Sequence, residues 1–334
     1  MSAADRRPIF HVGVHKTATS WFQNSFYPKL DGYRYLHRRL VRSTLLAKSP
    51  LAFDAAVARQ DLGLDDGAPA IICEEDLCGV LHNAGLTSNY VAKEIANQLF
   101  AIAPEARIVL FIREQTAMAT SCYQQYLREG GTSSVHRYLF PEDYLHLGRV
   151  RPLKTPRFDF TQFEFDRLVA HYDSLFGREN VFVFAYEDLV ADRDLFLSRF
   201  CAELALNCPT QMQNKRYNAG YRAGLIPIAR VMNLFTVRGV ANKVSLVHIP
   251  YWYKLRELLL ERLNRLPLFG PRAAPEKLLG HQTCDWIRQR FWQSNVALGR
   301  RMGIDLAELG YATQPPVTLK ERPRRARIFG LMKH

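Results

Sequence analysis

The chain has 334 residues, 48% of them hydrophobic and 12% aromatic, which is material for one large core and excludes disorder of the whole. Its 45 Lys and Arg against 32 Asp and Glu leave a formal net charge of +13, so an anionic partner is expected: nucleic acid, anionic lipid, or a phosphorylated or sulfated small molecule. No stretch approaches the roughly 18 apolar residues that span a bilayer, and Met1 to Phe10, with Asp5, Arg6 and Arg7, lacks the apolar run and cleavage site of a signal peptide.

In chain order, Ile9 to Val14 is a β-rich run followed by a polar loop, His15 to Ser20, and a helix-compatible stretch from Trp21 to Leu30. Further strands are expected at Ala70 to Cys73, Arg107 to Ile112 and Val181 to Ala185. Helical patterns fall at Leu51 to Gln60, Tyr90 to Ala103, Glu114 to Arg128 and Phe163 to Phe176. Strands alternating with helices predict an α/β fold: a P-loop-like parallel sheet covered by helices on both faces, with ligands at the carboxyl ends of the strands.

Gly130 to Phe160, with Pro141, Pro152, Pro156 and the cations Arg137, Arg149, Arg151, Lys154 and Arg157, reads as an irregular insertion. It is expected either as an acceptor-side lid or as a solvated basic loop. Residues 222–302 read as a helical part, with patterns at Ile226 to Arg238, Tyr251 to Leu266 and Cys284 to Met302. The stretch 251–266 sets Lys254, Arg256, Arg262 and Arg265 among Leu and Trp. It fits a core-packed helix or one resting on an anionic membrane. Residues 1–312 are expected as one domain and 313–334 as a flexible basic tail that can strengthen peripheral membrane attachment.

The six cysteines, Cys73, Cys78, Cys122, Cys201, Cys208 and Cys284, form no C-x-x-C pair and have no histidines at zinc-ligand spacing. A reducing, cytoplasmic setting and no metal are the expectation.

The loop His15-Lys16-Thr17-Ala18-Thr19-Ser20 places a lysine and several hydroxyls at a strand-to-helix turn, where the N–H groups of a helix start can grip an anion. The Walker A pattern is not met, because no Gly-Lys pair exists, and this argues against a nucleoside triphosphatase. A second anion site is expected after the third expected strand. There Arg113 ends the strand and Ser121 follows eight residues later, two turns into a helix, so both can face one phosphate.

These two segments resemble the sulfotransferase family that uses 3′-phosphoadenosine 5′-phosphosulfate (PAPS), in its bacterial carbohydrate-type form. The resemblance departs from the family at Ala18, where Gly is usual. Weaker matches run through Ala70 to Leu77, Phe176 to Val181, Tyr186 to Leu189, Asn295 to Leu298 and Gly303 to Tyr311, so that coverage is roughly residues 9 to 312. The resemblance implies that Lys16, Thr17, Ala18, Thr19 and Ser20 hold the 5′-phosphosulfate and that Arg113 and Ser121 hold the 3′-phosphate. It implies transfer of a sulfuryl group to a hydroxyl or amine of an acceptor, in this form a saccharide, with 3′-phosphoadenosine 5′-phosphate (PAP) as product.

Lys16 is then expected to neutralise the leaving oxygen. Glu75 is the first choice of base for the acceptor proton and His15 the second, although Glu74, Glu75 and Asp76 equally suit a helix cap or ion pairs with arginines. Glu187 and Asp188 are assigned to structure. A P-loop-type kinase and a nucleic-acid- or anion-binding protein are the alternatives; the latter would explain +13, but no zinc-finger spacing, RRM motif or single basic stripe accompanies it.

Overall fold

The computed structural model describes residues 7–66, 69–82, 87–147, 157–210, 212, 220–241, 243–316 and 321–323. Five short strands, β1 (Ile9–His11), β2 (Arg34–Leu36), β3 (Ala70–Cys73), β4 (Arg107–Ile112) and β5 (Val181–Ala185), pair in the order β2-β3-β1-β4-β5. All four pairings are parallel, with Phe10 between Ile72 and Ile108. Parallel strands are covered on both faces and so read as continuous apolar runs; β4, Arg-Ile-Val-Leu-Phe-Ile, is buried at every position.

The strands at 70–73, 107–112 and 181–185 keep their expected bounds. The first is shorter than expected, because Val12 to Val14, though buried, leave the sheet to begin the loop. Strand β2 is absent from the sequence expectation. It is a three-residue edge strand, Arg-Tyr-Leu, only partly buried at its first two positions, and it presents no apolar run.

Alternation along the strands divides the core into two layers. Val109, Phe111 and Phe184 face Phe22, Phe26, Phe196 and Phe200. Phe10, Ile72, Ile108 and Leu110 belong to the larger cluster on the other face. The covering helices follow in order: α1 (Thr19–Trp21, continued by a π-turn over Phe22–Phe26), α2 (Arg38–Val41), α3 (Ala55–Asp61), α4 (Thr87–Ile102), α5 (Gln115–Arg128), α6 (Val135–Leu139) and α7 (Phe165–Phe176). After β5 come α8 (Tyr186–Ala191), α9 (Arg193–Glu203), α10 (Leu225–Asn233), α11 (Trp252–Leu263), α12 (Pro275–Leu279) and α13 (His281–Met302).

Cys201 and Cys208 form a disulfide. The turn that ends α9, with Leu206 N–H bonded back to Cys201 O at 2.8 Å, brings the two sulfurs together. The tail is anchored where it is described: Arg322 pairs with Asp143 and Glu142 and lies over the Phe140 ring at 5.2 Å, next to a buried Pro323. The remaining tail cations, among them Arg324, Arg325, Arg327 and Lys333, lie outside the described residues, as do Arg149, Arg151 and Lys154.

Candidate active site

Strand order explains why distant motifs meet. The direction in which strands are added reverses at β1: β2 and β3 lie to one side of it, β4 and β5 to the other. The loops leaving β1, β3 and β4 therefore emerge side by side at the carboxyl edge, on strands about 4.8 Å apart, which is where open α/β sheets bind ligands. A cleft of about 800 Å³ opens there. It is lined by His15, Lys16, Ala18, Thr19 and Ser20 from the first loop, Glu75 and Asp76 from the second, and Arg113 and Ser121 from the third.

The first loop is tightly wound. Lys16 has φ 66° and Ala18 φ 70°, both in the left-handed region. Turning two residues of one loop this way points main-chain N–H groups into a common concavity, the geometry of an anion nest. At Ala18 the positive φ carries a steric cost, since Ala has a Cβ where Gly has none. Gly13 is needed for packing: a Cβ there would stand 2.9 Å from Thr19 Oγ1. Thr17 departs from its expected role. It is fully buried, its hydroxyl donates to Val14 O at 2.5 Å, and it does not line the cleft; only its backbone remains for a ligand.

Lys16 Nζ donates to Gln125 Oε1 at 3.1 Å. Burial, with the charges of Arg128 and Arg113 adding to it, holds the Lys16 pKa down to about 8. Arg113 donates from Nη1 to Lys16 O at 2.8 Å and stacks on the Tyr186 ring at 4.5 Å. Its Nε is buried without a hydrogen-bond partner. Helix α5 starts one residue after the N-cap Glu114, whose carboxylate accepts from Thr116 and Ala117 N–H. From there Ala117, Thr120, Ser121, Gln124 and Gln125 all line the cleft, the i, i+3, i+4, i+7, i+8 stripe of one helical face. Thr120 is 6% exposed and its Oγ1 has no partner. A 3.6-residue period from Ser121 reaches Ala117, Gln124 and Gln125, and Thr120, three residues on from Ala117, joins the same face.

The acidic run after β3 is divided in use. Glu74 is fully buried and takes bidentate contacts from both Arg38 and Arg42 at 3.0–3.1 Å. Burial pushes its pKa up, but these donors outweigh that and hold it below the ordinary carboxylate value. Glu75 accepts from Arg38 on Oε1 and from Gln23 on Oε2, at 3.0 and 3.1 Å. Asp76 pairs with Arg42 and stands 3.8 Å from His15 Nε2. His15 Nε2 lies 2.6 Å from Gly79 O, which can only accept, so Nε2 carries hydrogen and the lone pair of the neutral ring is on Nδ1. Arg38 and Arg42 escape a sequence reading because they sit just after the short edge strand β2.

Glu187 accepts from Glu114 N–H and Tyr311 OH, both at 2.9 Å, and Asp188 pairs with Arg199, which are structural contacts. The described residues of the 130–160 insertion do not line the cleft; Phe140, Phe158 and Phe160 pack against one another and Trp286 instead. The far wall comes from Tyr186, Leu189, Val190 and Arg193, and from Gly220, Arg272, Ala273 and Pro275.

No protein-family model matches the chain, and no curated protein matches it. Among solved structures the chain is similar to a sulfotransferase from Alicyclobacillus acidocaldarius, at 15% identity over 79% of this chain and 98% of that one, with a TM-score of 0.46, a likeness too distant to carry an argument about function.

Proposed function

We propose that the protein is a sulfotransferase that uses PAPS as donor and a hydroxyl or amine, of a saccharide, as acceptor. The observation that carries this reading is the convergence of two separate anion-holding devices on one cleft: the wound loop 15–20 at one strand end, and Arg113 with Thr120 and Ser121 at the next. A nucleotide bearing phosphates at both its 5′ and 3′ positions needs two such places. The residues fit it, since Arg113 Nε and Thr120 Oγ1 are buried polar atoms still lacking partners beside the cleft, and buried polar atoms are ordinarily hydrogen-bonded.

PAPS supplies a sulfuryl group: the acceptor heteroatom bonds to sulfur as the bond from sulfur to the 5′-phosphate oxygen breaks, the electron pair leaving with the phosphate. The chain's part is placement and charge. Lys16 puts an ammonium beside the loop that grips the phosphosulfate. Because it is desolvated, an arriving anion stabilises its charged form strongly. Arg113 ties the loop to the other anion site through Lys16 O, so the two grips are held in fixed register. In the same loop, His15 Nδ1 makes no protein hydrogen bond among the described residues, whereas both Glu75 oxygens already accept one. This favours His15 as the group that takes the acceptor proton, with Asp76 near enough to steady the imidazolium. Glu75 is then held at the cleft by Gln23 and Arg38, which both donate to it. The far wall, with Leu189, Val190, Arg193 and Arg272, leaves room for an acceptor beside the loop, and the family resemblance is what names that acceptor a saccharide.

The test is a thermal-shift comparison. PAP should raise the melting temperature, and ATP with magnesium, which has no 3′-phosphate for Arg113 and Ser121, should do so far less. Equal shifts from the two nucleotides would leave the PAPS reading without support and favour a kinase.

A further inference from the structure

We propose that the outer face of the α10–α11 hairpin is a docking surface for an anionic lipid bilayer. The inner side of the hairpin is pinned to the protein. Asn233 Nδ2 donates to Leu127 O and Gly131 O at 2.8 and 2.6 Å. Arg256, fully buried, donates to Leu127 O, Arg128 O and Asn233 Oδ1. A guanidinium on the last carbonyls of α5 complements that helix end in charge and in hydrogen bonding, so the hairpin's orientation is set. The connection between the two helices is fixed as well: Leu246 N–H bonds to Leu234 O at 2.8 Å, Ile249 N–H to Phe235 O at 3.1 Å, and Trp252 Nε1 to Met232 O at 2.8 Å.

What this fixed frame turns outward is apolar. Val231 is 57% exposed, Leu246 70%, Tyr251 87%, Leu255 50%, Leu258 55% and Leu268 85%. The large apolar side chains of a soluble surface are usually scattered singly, whereas several on one helical hairpin and its two ends mark an interaction site. The same segment is cationic. From Leu225 to Gly270 it carries seven Lys and Arg, no Asp, and only Glu257 and Glu261. Lys254, Arg262 and Arg265 are exposed and make no ion pair among the described residues.

Charge complementarity selects the occupant. A second copy of this face would bring like charges together, which is unfavourable. Nucleic acid would answer the cations and leave the leucines in water. A bilayer surface with anionic headgroups answers both: leucines and an interfacial tyrosine enter the headgroup and acyl boundary while the cations meet lipid phosphates. The sequence already allowed this for 251–266; what the structure adds is that Leu255, Leu258 and Leu259 face outward, while Leu260 packs inward, and that Val231, Leu246 and Leu268 are exposed with them. The inference does not depend on the reading of the cleft.

Full-length protein is floated with vesicles of phosphatidylcholine alone or of phosphatidylcholine with phosphatidylglycerol. Binding is expected to the anionic vesicles and at least about tenfold less to the zwitterionic ones. L258D/L268D should lower the partition coefficient at least about tenfold, and K254E/R262E comparably, with melting temperatures close to the parent because all four side chains are exposed. L258S/L268S serves as the milder replacement if the aspartate variant melts early. Parental binding by both leucine variants would assign any vesicle affinity to other cations of the chain and overturn the proposal. Failure to float with either vesicle would overturn it too, as would a parental dimer, seen by sedimentation velocity, that the leucine variants convert to monomer.

Discussion

Arg113 donates a hydrogen bond at 2.8 Å to the main-chain carbonyl of Lys16, a residue 97 positions earlier. That bond crosses from the end of β4 to the loop after β1 and makes two anion-holding devices one rigid unit. Loss of Arg113 therefore removes a cation from the cleft and loosens the loop as well. Arg113→Ala should weaken PAP binding by about 10-fold or more, as expected for a hydrogen bond to a charged group. Ser121→Ala, the loss of a neutral hydroxyl, should cost only a few-fold. Calorimetric titration of both variants decides the order; parental affinity in Arg113→Ala would move the 3′-phosphate site elsewhere.

Lys16 makes the nucleotide affinity pH-dependent in a definite direction. Its folded pKa is held down to about 8, and a bound anion favours the protonated form, so PAP binding takes up a proton above that pH. Affinity should be flat below about pH 8 and fall as pH rises through it, and Lys16→Met should flatten the profile. For folding the sign is opposite: between about 8 and the ordinary lysine value the unfolded chain binds more protons, so this group's contribution to stability rises with pH. Lys16→Ala should lower kcat by about 10²-fold while PAP affinity falls less, since Arg113, Ser121 and the loop N–H groups remain. An unchanged kcat would strip Lys16 of its charge-stabilising role.

Ala18 is the residue at which the loop and its side chain conflict. With φ at 70°, Ala18→Gly should relieve about 1 kcal/mol, the left-handed penalty of an L-residue less the entropy cost of glycine. Ala18→Val should destabilise by more than that, because a branched Cβ worsens the same clash. Urea unfolding of the two variants measures both; a less stable Ala18→Gly would mean that the methyl group packs more favourably than its backbone is strained.

The proton acceptor is separable by two conservative replacements. His15→Asn should remove turnover and spare PAP binding. Glu75→Gln should leave measurable turnover, because Gln can keep a contact with Arg38 through its amide oxygen. The assay is sulfate transfer from labelled PAPS over a saccharide panel, or slow PAPS hydrolysis. Near-parental turnover in His15→Asn together with a dead Glu75→Gln would reverse the assignment and restore the carboxylate as the base.

Glu74 holds the second strand's arginines and not the ligand. Replacing it by Leu removes the carboxylate that Arg38 and Arg42 share, though each keeps a second partner, Glu75 and Asp76, and part of its solvent, so stability should drop by about 1–3 kcal/mol, less than for an ion pair with both members fully buried. Its lowered pKa means that this contribution is full above the ordinary glutamate value and is lost as pH falls through the folded one. Acid titration of stability in Glu74→Leu should lack that step. A variant as stable as the parent would show that Glu75 and Asp76 alone suffice to hold the two arginines.

The sequence by itself determined the buried strands after residues 69, 106 and 180, because a strand covered on both faces must be apolar throughout, and it placed Lys16, Glu75 and Arg113 just beyond strand ends. Ala18 stood out only through the family resemblance, in which Gly is usual at that position; that its φ is positive is read from the structure. The sequence could not reveal β2, whose three residues at the sheet edge need no apolar pattern, and so it missed Arg38 and Arg42, which neutralise the acidic run. Which hydroxyls face the cleft was likewise beyond it: Thr17 turns into the core to satisfy Val14 O, while Thr120 turns out on the face it shares with Ser121. Tertiary structure alone decided that three loops far apart in the chain share one cleft, because strand order is set by pairing between distant segments and local patterns carry no record of it. The same holds for the α10–α11 hairpin, where opposite sides of one leucine-rich pattern go to the core and to the surface, and the contacts of Asn233 and Arg256 with the end of α5 determine which.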